Sequence, residues 1–367
     1  MRILQIIETG GPGGAETVYS MLSRGLRDRG HDVHCLVGEG TWLPGELRER
    51  GFQPYLRENG GSFDVALLRQ IVLLIRRHNV ELVHAHLFDA AVYAGVAAAW
   101  CGVPCVTTLH GQVDVNRRGL AQRVKASALR YGSKAVVAVS NSLRTDLQPA
   151  LHIPAERFHV VYNGVEQLHS EPPQRLLQPT SQVSSQAFRL IAVGNIRPAK
   201  DYPNLLRAVH HLVQRGVAVH LDIVGQPDGQ GLFESLQALL HQLGITANVT
   251  FHGFVANPRV LLEQAQAFVL ASSQEGFSLA TIEAMLAGTP VVATRSGGPE
   301  EIIADEETGL LVPVGNHEAL ANAIERLMNE VGKASALAVA AEQSARTRFS
   351  VTAMLDRYEQ IFADVRS

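Results

Sequence analysis

Cysteine is scarce in this chain of 367 residues: Cys35, Cys101 and Cys105 are the only three, an odd number with no Cys-x-x-Cys pair. That argues against a disulfide framework or a cysteine zinc site and favours buried thiols in a reducing compartment, so a cytoplasmic location is expected. Long apolar runs are lacking as well. The longest, Ala90 to Pro104, is too short to span a bilayer, and the brief apolar start ahead of Gly10 resembles a buried first strand more than a leader peptide. Positive charge is not in excess, since 32 basic and 35 acidic residues give −3, and no global field is available to hold nucleic acid. No tract of biased composition occurs, which removes the disordered and collagenous classes. What remains is a globular composition, 46% hydrophobic and 18% charged, at a length suited to about two domains of roughly 150 residues each.

The first half repeats one unit, a short continuous apolar run followed by Gly or Pro and then a longer amphipathic segment. Runs without alternation mark strands covered on both faces, the habit of parallel sheets. The expected strands are Arg2–Ile7, Asp32–Val37, Leu82–His86, Cys105–Leu109, Ala135–Val139 and His159–Tyr162, with helices such as Glu16–Arg29 and Val65–His78 between them. This predicts a doubly wound α/β domain over 1–165. The Gln, Ser and Pro-rich stretch 166–187 has no sustained period and reads as a linker. Strand and helix then alternate again, with strands at Arg189–Val193, His220–Val224, Val249–Phe251, Ala267–Leu270 and Val291–Ala293, giving a second α/β domain over 188–349. The tail, 350–367, carries Val351, Met354, Leu355, Tyr358, Ile361 and Phe362 on one approximate helical face. Positions 1–165 carry a net charge of +4 and the remainder −7. Much of the basic excess lies in Arg117, Arg118, Arg123, Lys125, Arg130 and Lys134, which is read either as a solvated helix face or as a surface for an anionic lipid or phosphorylated acceptor.

Four segments could carry chemistry. Gly10-Gly11-Pro12-Gly13-Gly14-Ala15-Glu16 follows the first strand and opens a helix, a place where backbone amides approach a phosphate. Glu16 stands where the dinucleotide fingerprint has its third glycine, which counts against NAD. His110 closes a predicted central strand, at the end where open α/β sheets bind ligands; His84 and His86 share that property and dilute the signal. Arg197 and Lys200 flank a helix start after the first strand of the second half, one suited to a bidentate clamp on phosphate and the other to a point charge. In Ser272 to Met285, Glu275 lies in a strand-to-helix loop and Glu283 eight positions on, within the helix that starts near Leu279. Amides around Phe277, Ser278 and Leu279 suit an anion, and the two carboxylates suit the hydroxyls of a sugar nucleotide.

With these segments in order, the chain resembles the retaining glycosyltransferases of family four, glycosyl transferases group 1. The likeness is carried by Gly13-Gly14-Ala15-Glu16, Val83-His84-Ala85-His86, Thr108-Leu109-His110-Gly111, Asn163-Gly164-Val165, Val193-Gly194 with Lys200, Phe251-His252-Gly253-Phe254, Glu275 with Glu283, and Ser296-Gly297-Gly298-Pro299-Glu300-Glu301. The resemblance implies the GT-B architecture, two Rossmann-like doubly wound parallel-sheet domains facing across a cleft, with the tail crossing back to the first. It implies a hexosyltransferase that moves a sugar from a UDP- or GDP-sugar to a glycan, lipid-linked or small hydroxyl acceptor, with retention of anomeric configuration. By the same resemblance Arg197 and Lys200 neutralise the donor diphosphate. Glu275, with Gly276, Phe277, Ser278 and Leu279, holds the sugar and phosphate, and Glu283 takes the ribose. His110 approaches the sugar, Gly13 and Gly14 meet the phosphate or acceptor, and Phe254 and Val255 border the base. Asn195, also expected to contact the donor, stands where the family often has arginine. No Asp-x-Asp motif occurs, so neither metal nor another cofactor is expected. A sugar-nucleotide epimerase of the same fold and a non-catalytic glycan or nucleotide binder are the rival readings, along with peripheral contact of 117–134 with the inner face of a membrane.

Overall fold

The computed structural model describes residues 1–57, 64–111, 119–166, 187–227, 229 and 231–366. Arg117, Arg118 and nearly all of the expected linker lie outside them. Two compact units result, Met1–Gly164 with Val351–Ser367, and Val165–Ser350.

The first unit is built on strands β1 (Arg2–Thr9), β2 (Asp32–Glu39), β3 (Tyr55–Leu56), β4 (Leu82–His86), β5 (Cys105–Leu109), β6 (Ala135–Ala138) and β7 (Phe158–Val160). They pair in parallel in the order β3-β2-β1-β4-β5-β6-β7. β1 buries Ile3, Leu4, Gln5, Ile6 and Ile7 in succession because helices cover both faces, which is why its sequence does not alternate. The helix Gly14–Asp28 presents Val18, Tyr19, Leu22 and Leu26 to the sheet at three- and four-residue spacing. Sequence reasoning placed β7 one to two residues late and missed β3, a two-residue edge strand too short to show any period.

The tail helix Val351–Asp364 belongs to this unit and buries Met354, Leu355, Tyr358, Ile361 and Phe362. Gly25 makes its close approach possible: a Cβ there would lie 2.4 Å from Leu355 Cδ1. Polar pins flank the contact. Tyr358 OH is 3.0 Å from Thr108 Oγ1, His31 Nε2 is 2.7 Å from Glu359 Oε1, and Arg29 is 2.7 Å from Asp356.

The second unit repeats the pattern with β8 (Phe188–Val193), β9 (Val219–Val224), β10 (Val249–Gly253), β11 (Ala267–Leu270), β12 (Val291–Thr294) and β13 (Leu310–Val312), all parallel in the order β10-β9-β8-β11-β12-β13. Its apolar core gathers Leu190, Leu205, Leu206, Val209, Leu221, Ile223, Val269 and Ile324. In both units the strand order reverses beside the first strand, between β1 and β4 and between β8 and β11. Helices leave on opposite faces there, so a crevice opens beyond the carboxyl ends of those strands.

Candidate functional site

Each crevice collects residues that the sequence singled out. In the second unit, β8 ends at Val193 and the chain turns through Gly194 to the short helix Pro198–Lys200. β9 comes so close to this turn that a Cβ on Gly225 would lie 2.0 Å from the carbonyl oxygen of Gly194. Asn195 ties the two loops together, its Oδ1 accepting from Gln226 N at 3.0 Å, so this side chain is committed to the scaffold. Gly225→Ala is expected to force the two backbones apart and to cost about 2–3 kcal/mol in urea unfolding.

Lys200 reaches back to the loop after β11, where its Nζ lies 2.5 Å from Glu275 Oε2; the Ser272 hydroxyl donates to the same oxygen at 3.2 Å. Lys200 and Glu275 side chains are only 21% and 14% exposed, so the pair is largely desolvated. Arg197 is exposed and its guanidinium has no hydrogen-bond or ion-pair partner among the described residues, which leaves it available to a ligand anion. The Glu275 backbone is fixed on both sides, its N–H donating to Ser296 O and its carbonyl accepting from Gly298 N, each at 2.9 Å. Gly298 must be small, because a Cβ would meet Gly276 O at 2.6 Å.

From Gly276 the chain enters the helix Leu279–Leu286, whose N-cap Ser278 accepts from Thr281 N at 3.3 Å. First-turn amides and the helix dipole face the same crevice as Lys200. Phe277 is buried edge-on against Phe349, ring centroids 5.6 Å apart, which fixes the loop rather than offering a surface. Glu283 sits one turn into the helix, and burial raises its carboxyl above the ordinary value. Phe254 is exposed and Val255 half-buried directly after β10.

In the first unit Gly13 is the N-cap of the helix Gly14–Asp28, and Gly14 opens its first turn. Glu16 turns back over the loop, and a Cβ on Gly13 would lie 2.4 Å from its Oε2. Across the reversal point, His110 follows β5 and touches His86 at the end of β4, His86 Nδ1 to His110 Nε2 being 3.0 Å. Behind it His86 Nε2 is 3.2 Å from Gln5 Oε1, and His84 Nε2 is 2.8 Å from Thr108 Oγ1. Desolvation lowers His110 to about 4 and His84 to about 3, and takes His86 well below its ordinary value. All three imidazoles are therefore neutral at pH 7. The connection of Gln5 and His86 to His110 was missed from sequence, although alternation along a strand already puts His84 and His86 on one face.

No helix among the described residues is long and apolar enough to cross a membrane. Of the basic run, Lys125 is paired with Asp89 at 2.6 Å and Arg130 lies over the Tyr131 ring, whereas Arg123 and Lys134 are exposed.

The sequence pattern of the family described as glycosyl transferases group 1 matches residues 176–344, and that of glycosyltransferase family 4 matches 12–167. A relative from Bacillus anthracis, N-acetyl-alpha-D-glucosaminyl L-malate synthase, is 29% identical over 96% of this chain and 94% of its own length. D-inositol 3-phosphate glycosyltransferase of Mycobacteroides abscessus is 33% identical over 78% of this chain and 67% of its own. Among solved structures, Anabaena HepE in complex with UDP and glucose superposes with a TM-score of 0.87 at 24% identity, covering 99% of this chain and 100% of that one. The two sheets with their shared strand order, the matches to both halves and these relatives establish that the chain belongs to the glycosyl transferases group 1, has the GT-B fold of two Rossmann-like domains, and is a glycosyltransferase.

Proposed function

We propose that the protein transfers a sugar from a UDP-sugar to the hydroxyl of a small anionic acceptor, with retention of configuration and without a metal ion. The observation that carries this reading is the crevice beyond β8 and β11, where Lys200 pairs with Glu275 and the helix Leu279–Leu286 begins four residues on, with Arg197 three positions before Lys200 and Glu283 one turn into the helix. Breaking the bond between the anomeric carbon and the diphosphate leaves charge on the phosphate oxygens. Fixed cations and helix-end amides stabilise that charge in a poorly solvated place, supplying without metal what the departing group requires. Glu283 would accept from the ribose hydroxyls and Glu275 from the sugar, and the first unit would contribute His110 and the Gly13-Gly14 turn toward sugar and acceptor. As the bond to the leaving phosphate breaks, a bond from the acceptor oxygen forms on the same face, and the acceptor proton passes to the phosphate oxygen. UDP is favoured over GDP because HepE is crystallised with UDP; a small anionic acceptor is favoured by the names of the malate and inositol phosphate relatives and by the +4 charge of residues 1–165.

The same reading places the enzyme in the cytoplasm. Exposed Trp100, Val124 and Tyr131, with Arg123 and Lys134, favour transient contact with an anionic inner membrane face. The test is proton NMR of the product formed from an α-linked UDP-sugar: the small anomeric coupling of an α product is expected at first appearance, and the large coupling of a β product would refute retention. Product formation unaffected by EDTA is expected too. A sugar nucleotide altered without any acceptor would instead mark an epimerase.

A further inference from the structure

The chain Gln5, His86, His110 is a run of hydrogen bonds whose direction is fixed from one end. Gln5 is fully buried on β1, and its Oε1 faces His86 Nε2 at 3.2 Å. An amide oxygen only accepts, so the proton of His86 is on Nε2. A neutral imidazole carries one proton, which leaves His86 Nδ1 as a lone pair, and the partner at 3.0 Å, His110 Nε2, must then be the donor. His110 Nδ1 is left unprotonated. Each ring is also held in place: Tyr19 packs edge-on against His86 with centroids 5.3 Å apart, and His86 and His110 are nearly coplanar in tilt, 19° apart. The price is visible at the start of the chain, where the buried Gln5 Nε2 has no partner among the described residues. A fold that leaves one amide donor unpaired while its oxygen is spent on His86 has committed that oxygen to a role.

We propose that Gln5 and His86 are positioning residues that fix His110 as its Nε2–H tautomer, so that the ring presents an acceptor at Nδ1 to a sugar or acceptor hydroxyl. This rests on the reading of His110 as a substrate contact. A ring locked in this form accepts a hydroxyl proton in a hydrogen bond and does not donate one, which selects a hydroxyl over an ether or carbonyl oxygen at that point of the substrate. Groups that hydrogen-bond the far nitrogen of a functional histidine set its tautomer elsewhere, and their loss lowers rates although they do not touch substrate.

Two-bond nitrogen–proton correlation spectra of the ring-labelled wild-type protein read the tautomer directly, with peaks assigned from the His86→Asn and His110→Ala spectra. Both His86 and His110 are expected to be protonated at Nε2; a proton on His110 Nδ1 overturns the proposal, whatever any variant does. Gln5→Met keeps the length of the side chain and removes the acceptor. It is expected to give a mixture of His110 tautomers and to lower kcat about tenfold with KM little changed. An unaltered spectrum and rate in Gln5→Met also overturns it. His110→Ala separates the two readings: if it retains full turnover, the substrate-contact reading fails, whereas loss in His110→Ala beside an indifferent Gln5→Met defeats the relay alone.

Discussion

Lys200→Ala is expected to lower turnover by about 10²–10³-fold, the usual effect of removing one fixed group aimed at charge that develops in the transition state. The substitution also leaves the Glu275 carboxylate with the Ser272 hydroxyl as its one remaining hydrogen-bond partner among the described residues, in a place where that side chain is 14% exposed. Stability should therefore fall by about 1–3 kcal/mol. A second variant separates the effects. In Lys200→Met combined with Glu275→Gln the orphaned charge is gone, so the melting temperature should recover most of its loss while turnover stays low. Arg197 does not compensate, because a guanidinium on the exposed side of the loop makes different contacts from an ammonium seated against Glu275. Melting and nucleotide release, measured on the same preparations, check both halves. A double variant that regained both stability and rate would show that Lys200 matters only as the partner of Glu275.

Acid should unfold the first unit well above the pH at which its carboxylates titrate. His84 and His86 are fully buried, with His84 lowered to about 3 and His86 well below its ordinary value by desolvation. An unfolded histidine binds its proton near pH 6.5. Between that value and the folded one, the unfolded state holds more protons than the native state, so stability falls as pH falls. His84 contributes a slope of about 1.4 kcal/mol per pH unit and removes about 2 kcal/mol between pH 7 and pH 5, and His86 acts in the same direction. His110, lowered to about 4, acts in the same direction. The ion-paired Glu359 and Asp222 have depressed values, so their contribution is lost only at lower pH and does not overlap this window. Urea unfolding at pH 7, 6 and 5 is the check. His84→Gln, which keeps a hydrogen-bonding group toward Thr108, should reduce the slope by about one histidine's share. A flat profile above pH 5 would mean that the imidazoles titrate in the native state as they do in the unfolded chain.

The parallel sheets could be read from continuous apolar runs, and their positions held to within a residue or two wherever a run was four residues or longer. β3 escaped because two residues show no period, and β13 was missed at three residues, whereas β7, equally short and also at an edge, was found one to two residues late. The strand reversal beside β1 and β8 is what makes the glycine loop, Lys200 and Glu275 meaningful, since each follows a strand that borders a crevice, while His110, after β5, reaches the first crevice through His86 at the end of β4. Topology also brings Lys200 and Glu275, 75 residues apart, into one ion pair. Which cation would be paired and which free was not readable: Arg197 and Lys200 are three positions apart, and only the turn into the helix Pro198–Lys200 points one of them at Glu275. Asn195 looked like a departure from the family and proves to be a bridge to Gln226. The histidine relay depends on register and rotamer, Gln5 lying opposite His84 in the ladder while its amide meets His86, and no spacing rule reports that.

Calorimetric titration of UDP, GDP and ADP into the wild-type protein, Lys200→Ala and Glu283→Gln tests most directly whether the crevice beyond β8 and β11 holds the donor. One nucleoside diphosphate, UDP, should bind saturably at one site per chain, and each substitution should weaken it at least about tenfold, the loss of one charged contact. Binding that is the same in all three proteins, or absent for all three nucleotides, would contradict the assignment of this crevice to the donor.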